Sequence, residues 1–189
     1  MTYFKELTNL PNLNLSSEFN NLIRQQIIHW HPHERDQICI TTVKGYEDDI
    51  HLGRGSLVYD WDNAAQDENG NLIVPKRENR LHEQDFSVLC TQFKGTAFEQ
   101  AYNALNKQYT VGRVRIMNLK PKTCLSWHSD DSIRIHYPIK TQKGCMMIIK
   151  NVVFEMEQDK WYETNTLYDH TALNASKEER FHLVASIIN

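Results

Sequence analysis

VGRVRIMNL, residues 111–119, is where the chain changes its period. Upstream, the apolar residues of SSEFNNLIRQQIIH (16–29) and TAFEQAYNALNKQ (96–108) recur at helical spacing. Here they alternate with charge, Val114 and Ile116 against Arg113 and Arg115. Successive side chains of a strand point to opposite faces, so a period of two reads as a strand. The two arginines then either point into the mouth of a β structure, where they would meet an anionic substrate, or lie on its outer face as ordinary exposed charges.

The same period runs on to the C-terminus. TCLSWHSD (123–130), SIRIHYPI (132–139), CMMIIKNVVFEME (145–157), KWYETNTLYD (160–169) and RFHLVASII (180–188) are short runs rich in β-branched and aromatic residues, divided by polar or Gly/Pro turns. Strands in such succession indicate an antiparallel sandwich or barrel. Working back from 111, QICITTV (37–43) and SLVYD (56–60) read as further short strands, and the polar run 61–80, with Asn69-Gly70, as an exposed loop or hairpin. The helix at 16–29 opens on cap-type serines and stripes Phe19, Leu22, Ile23 and Ile27. In the helix at 96–108, Thr96 and Glu99 have capping-box spacing. Both helices precede the main β region, so the expected class is mainly β with helices packed on one outer face.

With 189 residues and 40 % hydrophobic content the chain can bury one core, and no repeat or linker divides it. A single domain is expected: residues 1–110 supply helical support and outer strands, residues 111–189 the core strands. The net charge of −3 comes without a basic run, which disfavours nucleic acid as a partner. No apolar stretch reaches membrane-spanning length, and the opening MTYFKELTNLPNLNL does not look like a signal peptide, so a cytoplasmic protein is expected. Cys39, Cys90, Cys124 and Cys145 are far apart, which reads as reduced thiols mostly in the core. Asn174-Ala-Ser176 fits a glycosylation pattern with no consequence in that compartment.

Chemistry concentrates in SWHSDDSIRIHYP (126–138). On a strand His128 and Asp130 share a face, and an imidazole beside a carboxylate suits one metal ion. A third ligand from His170, in LYDHTALN, would complete the two-histidine, one-carboxylate set of non-haem Fe(II). The pair alone reads more readily as an exposed polar strand edge. Arg180, ten residues past His170, begins a strand with two largely apolar faces. A buried guanidinium needs an anionic partner, either a bound ligand or one of the 24 acidic residues. HWHPHE (29–34) offers three histidines at alternate positions, read as a solvated loop in preference to a second metal site. Trp127 and Trp161 read as packing groups, Trp30 and Trp61 as loop residues where a substrate lid could be built.

WHSDDSIRIHYPI, GCMMII and DHTALNASKEERFHLV, taken in that order, resemble the aspartyl/asparaginyl β-hydroxylase-like branch of the Fe(II)/2-oxoglutarate-dependent oxygenases, which includes hydroxylases of free proline. The likeness covers residues 111–188, with a fainter one at RDQICITT (35–42). It implies a double-stranded β-helix core, of the jelly-roll or cupin-like kind. It implies that His128, Asp130 and His170 bind iron, with Asp131 a rival for the carboxylate, and that Arg180 holds the distal carboxylate of 2-oxoglutarate. Arg134 and His136 resemble an Arg-x-His pair that contacts the cosubstrate near the metal. The implied activity is hydroxylation of a C–H bond in an amino acid, peptide side chain or related small substrate, with release of succinate and CO2. The residues alone leave two other classes open: a cupin-like metal enzyme that does not use 2-oxoglutarate, and a non-catalytic β-sandwich binding module. Oligomeric state is not legible.

Overall fold

The computed structural model describes residues 2–32 and 36–188. In chain order the elements are β1 (Phe4–Glu6), α1 (Leu15–Arg24), β2 (Gln37–Cys39), β3 (Thr41–Thr42), β4 (Ala65–Gln66), β5 (Leu72–Ile73), β6 (Val88–Leu89) and α2 (Ala97–Asn106). Then come β7 (Val111–Leu119), β8 (Thr123–Cys124), β9 (Arg134–Lys140), β10 (Cys145–Ile149), β11 (Val152–Phe154), β12 (Tyr162–Thr164), β13 (His170–Asn174) and β14 (Arg180–Ile187).

One sheet runs β1-β12-β9-β14-β7-β2, the other β11-β10-β13-β8, and their pairings are antiparallel. From β7 on, the chain crosses repeatedly between them: β7, β9, β12 and β14 join the large sheet, β8, β10, β11 and β13 the small one. That exchange is the jelly roll, a double-stranded β-helix.

Alternation along the large sheet divides the interior in two. Val114, Ile116, Ile135, Tyr137, Ile139, Leu183 and Ala185 form one buried cluster with Leu15, Phe19 and Leu22 of α1 and Phe98, Ala101 and Leu105 of α2. This is the main core, and it lies outside the jelly roll, under the helices. A smaller cluster of Phe4, Met147, Ile149, Met156 and Tyr162 brings residues of both sheets together.

Several local expectations are corrected. The first helix starts on Asn14, whose side chain accepts the Ser17 N–H at 3.1 Å, and stops at Arg24, so Ile27 lies beyond it, 40 % exposed. Gln26 there takes the left-handed φ of 58°. Thr96 caps α2 through the Phe98 N–H, but Glu99 reaches past it to the Gly95 N–H at 2.7 Å. SLVYD forms no strand: the Ser56 hydroxyl takes the N–H groups of Val58 and Tyr59, and one bridge joins Tyr59 to Lys76. The polar run does contain a hairpin, β4 with β5. Trp30 packs with Phe19 and Phe181 and is no lid. Trp127 is 57 % exposed, whereas Trp161 is buried and donates to Pro11 O.

All four cysteines are free, and only Cys124 is exposed. Asn174 is fully buried, its amide donating to the Leu119 and Glu178 carbonyls, so it braces the β13–β14 turn and is closed to glycosylation. Among the described residues no helix is long and apolar enough to cross a membrane.

Candidate active site

Segment 125–133 is not the regular strand its isoleucines suggested; β9 starts only at Arg134. What places His128 is a single bridge to His170, with both backbone hydrogen bonds formed, at 3.1 and 2.8 Å. The Asp130 N–H then donates to Thr166 O at 2.8 Å. Shared strand facing is thus replaced by pinning to β13 and the turn before it, and the outcome is the same.

His128, Asp130 and His170 each offer a ligand atom within 4.8 Å of the others, the one such group of His, Cys, Asp or Glu among the described residues. Nδ1 of His128 lies 2.8 Å from Ser126 O, and Nδ1 of His170 lies 3.0 Å from Tyr168 O. A carbonyl can only accept, so each Nδ1 carries its proton and each Nε2 keeps its lone pair outward, as a metal requires. Burial holds the His170 pKa below the ordinary value, which keeps the ring neutral. Burial alone would raise the Asp130 pKa, but the charge and hydrogen bond of the Arg134 guanidinium outweigh it, and the carboxyl lies below its ordinary range. Asp131 turns away: its side chain is 85 % exposed and pairs with Arg80 at 3.3 Å.

Arg113 and Arg115 both face inward, on the same side of the large sheet as Arg134, His136, His182 and Ser186. The register fixes this, because Arg115 lies opposite Val184 and Val184 opposite His136, while Ser186 lies opposite Arg134. Arg134 donates from Nε to Asp130 (3.0 Å), from Nη1 to Ser132 (3.0 Å) and from Nη2 to Glu83 (3.1 Å). Arg113 grips the same Glu83 with two bonds of 2.9 Å and donates to the Gly53 and Gly55 carbonyls. Gly112 makes room for this, since a Cβ there would sit 2.7 Å from the Glu83 carbonyl oxygen. Burial opposes ionisation of Glu83, yet Arg113, Arg134 and Arg115 bring its pKa down to about 2.

Arg180 is 6 % exposed and, among the described residues, hydrogen-bonds only to His182, with Nε 2.8 Å from His182 Nε2. No carboxylate among the described residues forms an ion pair with it, so the internal salt bridge allowed by the sequence does not exist there. Burial lowers its pKa to about 10. His136, beside it, is held neutral by burial and by Arg180, with its pKa at about 3, and its Nε2 is buried without a partner. A neutral imidazole with a free nitrogen, which feels Asp130 and His170 of the cluster, and a guanidinium with no anion near that imidazole fit a small dicarboxylate bound beside a cation. In the N-terminal half, His29 and His31 flank His51 at 5.2 and 5.4 Å between ring centroids; His33, Glu34 and Arg35 lie outside the described residues.

Sequence reasoning missed Glu83 and His182. For Glu83 a signal existed in the arginines themselves: inward-facing guanidiniums on β7 and β9 require a buried carboxylate somewhere.

Comparison with curated protein sequences gives no match. Among solved structures, similar folds include AviO1 from Streptomyces viridochromogenes Tue57, with 11 % identity, 98 % of this chain and 89 % of that one covered, and a TM-score of 0.49. The viral collagen prolyl hydroxylase of Paramecium Bursaria Chlorella virus-1 gives 10 %, 98 %, 96 % and 0.47 on the same measures. A 2OG-Fe(II) oxygenase family oxidoreductase from Burkholderia pseudomallei gives 14 %, 49 %, 58 % and 0.43. By sequence, residues 18–189 match the aspartyl/asparaginyl β-hydroxylase family. The chain therefore belongs to that family and is a dioxygenase of the hydroxylase type, dependent on Fe(II) and 2-oxoglutarate.

Proposed function

We propose that His128, Asp130 and His170 hold the iron, that Arg180 holds the far carboxylate of 2-oxoglutarate, and that the reaction hydroxylates a C–H bond of an amino acid, a peptide side chain or a related small substrate, releasing succinate and CO2. The observation that carries this reading is the convergence of the three donors within 4.8 Å, each histidine with Nδ1 already committed to a carbonyl. Bound iron supplies the activation of O2 that couples decarboxylation of the cosubstrate to attack on the C–H bond.

The chain's own residues do the rest. Glu83 holds Arg134, and Arg134 holds Asp130 ionised and oriented. Three of the five Arg134 N–H groups are taken by protein acceptors, which leaves two for a cosubstrate carboxylate. The free Nε2 of His136 serves as a second donor to that carboxylate. The buried cluster of Phe4, Met147, Ile149, Met156 and Tyr162 supplies an apolar contact between the two sheets. A single chain of 189 residues carries all of this, with the N-terminal segment supplying Glu83 and the helices that back the core strands.

Anaerobic titration with Fe(II) and 2-oxoglutarate tests the assignment. The expected result is the visible charge-transfer band of the ferrous chelate, lost in His128→Ala; absence of the band from the wild type at saturating cosubstrate rules the reading out.

A further inference from the structure

Two histidines of HWHPHE, a stretch read from sequence as a solvated loop, meet a third from a distant segment. Trp30 packs inward on Phe19 and Phe181. The residues on either side of it, His29 and His31, flank His51, with ring centres 5.2 and 5.4 Å from that of His51. The main chain fixes the His51 end. Ile50 O accepts the Cys39 N–H at 2.7 Å, and His51 O accepts the Arg54 N–H at 3.0 Å. The His51 N–H donates to Asp49 Oδ1 at 2.7 Å. Packing on one side and backbone hydrogen bonds on the other thus bring three imidazoles together.

The cluster does not complete its own hydrogen bonding. Both ring nitrogens of His51 are buried, and among the described residues neither has a hydrogen-bond partner. Gln92 Oε1 is in the same condition and lines the same cleft of about 490 Å³, together with His29 and His51. Buried polar atoms left unpaired destabilise a fold, and a bound group would relieve them. Burial, with the His29 and His31 rings adding to it, holds the His51 pKa below its ordinary value, and the neutral ring is the form that binds a metal. The acidic residues of the rim are engaged elsewhere, Glu47 with the Gly45 N–H and Asp49 with the His51 N–H, so the donors on offer are imidazole nitrogens. Such donors suit Zn(II), Cu(II) or Ni(II), not Mg(II) or Ca(II).

Spacing agrees with that chemistry. Nitrogens about 2.0 to 2.1 Å from a tetrahedral Zn(II) place neighbouring ring centres about 5.2 Å apart. His128, Asp130 and His170 remain the one group whose donors already lie within 4.8 Å of one another among the described residues; at the cluster around His51 the exposed His29 has to close onto the ion.

We infer that His29, His31 and His51 form a second metal site, which takes a divalent transition-metal ion of the Zn(II) kind and ties the segment after α1 to the loop that follows β3. The fourth position is left to water or to Gln92 Oε1. Two and four residues beyond His51, the Gly53 and Gly55 carbonyls accept from Arg113, so the ion braces from outside the loop that holds a buried arginine.

The test is calorimetric titration of the metal-stripped full chain with Zn(II). The wild type should bind two equivalents, His51→Ala one, His128→Ala/His170→Ala one, and the triple variant none. In the His128→Ala/His170→Ala background Zn(II) should raise the melting midpoint, and adding His51→Ala should cancel the rise. His29→Ala and His31→Ala should each weaken the second equivalent by more than about a hundredfold, since losing a group that merely orients a ligand costs roughly tenfold to a hundredfold. A Zn(II) count that His51→Ala leaves unchanged overturns the inference, and would place any second ion elsewhere, as at the exposed Cys124. Should His51→Ala fail to fold, the other two variants decide, because unaltered affinity in both overturns the site. Loss of the other equivalent in His128→Ala/His170→Ala bears on the iron assignment alone.

Discussion

Turned toward α1 and α2, the large sheet presents Val114, Ile116, Ile135, Tyr137, Leu183 and Ala185, all at most 0 % exposed by area. Turned toward the small sheet, the same three strands present Arg113, Arg115, Arg134, His136, Arg180 and His182, also buried. The two faces share every backbone hydrogen bond and differ by one residue of register. The apolar face gains free energy from leaving water. The polar face pays for leaving it. A chain that keeps such a face has stability to spare from the helix side and a use for the charge. Folding energy and chemistry are thus assigned to opposite sides of one sheet.

The sharpest way to break that division is to cut each face once. His128→Ala and His170→Ala should abolish iron-dependent turnover while circular dichroism and the melting midpoint stay near wild type, because neither ring belongs to the main core. Leu183→Ala, from the other face of β14, should do the reverse. It should cost about 2 to 5 kcal/mol in stability by denaturant unfolding and leave the turnover of folded molecules intact. If a ligand variant unfolds, or Leu183→Ala stays stable but inactive, the two faces are not separate in function.

Glu83 is where the polar face borrows a stability role. Glu83→Gln strands Arg113 and Arg134 without their shared anion and should cost about 3 to 5 kcal/mol. Its pH signature follows from the direction of its shift. The folded pKa of about 2 lies below the ordinary 4.5, so its contribution is complete above pH 4.5 and drains away as the pH falls toward 2. Wild-type stability should decline through that window, and Glu83→Gln, already less stable at neutral pH, should decline less. Equal acid sensitivity in the two proteins would show that the carboxylate is not held by the arginines.

Arg180 should affect ligand and not fold. With no carboxylate to strand, Arg180→Ala leaves no buried anion behind. In the loaded enzyme the loss is that of one partner of a buried pair, about 3 to 5 kcal/mol. At tenfold for about 1.4 kcal/mol this weakens 2-oxoglutarate binding by roughly two to three and a half orders of magnitude. The anaerobic dissociation constant measures it; normal binding by a folded variant would detach Arg180 from the cosubstrate.

How far the sequence could be read follows the same two faces. In β7, β9 and β14 strict alternation exposed the strands and the residues that share a face, but not which face of β7 is inward; the register with β14 and β9 decides that for Arg113 and Arg115. His128, Asp130 and His170 were legible by type and order, though not by conformation, since a single bridge to β13 does the work assigned to a strand. Glu83 was not legible: it lies 30 and 51 residues from the arginines it joins, in a stretch whose own pattern says only that it is polar. Trp30 and Trp127 were exchanged for a similar reason. Local context placed one in a loop and the other among strand residues, and only the third dimension put Phe181 beside Trp30.

The smallest effect tests the finest distinction, between neighbouring aspartates. Asp130 accepts from Arg134 at 3.0 Å with its side chain 22 % exposed, whereas Asp131 meets Arg80 at 3.3 Å with both partners in solvent. Exposed pairs contribute about 0 to 1 kcal/mol, since water screens them and two long side chains must be held still. Asp131→Ala should therefore shift the melting midpoint little and leave activity near wild type. Asp130→Ala removes a proposed ligand and the anion facing Arg134, so most activity should go with it. Salt separates the two further: raising ionic strength should erase what little Asp131 contributes, while the shielded Asp130 pair responds weakly. If Asp131→Ala proved the more damaging variant, the backbone between Ser129 and Ser132 would have to turn over on metal binding. The carboxylate ligand would then move by one residue, and the polar face would be completed from a loop rather than from the bridge to His170.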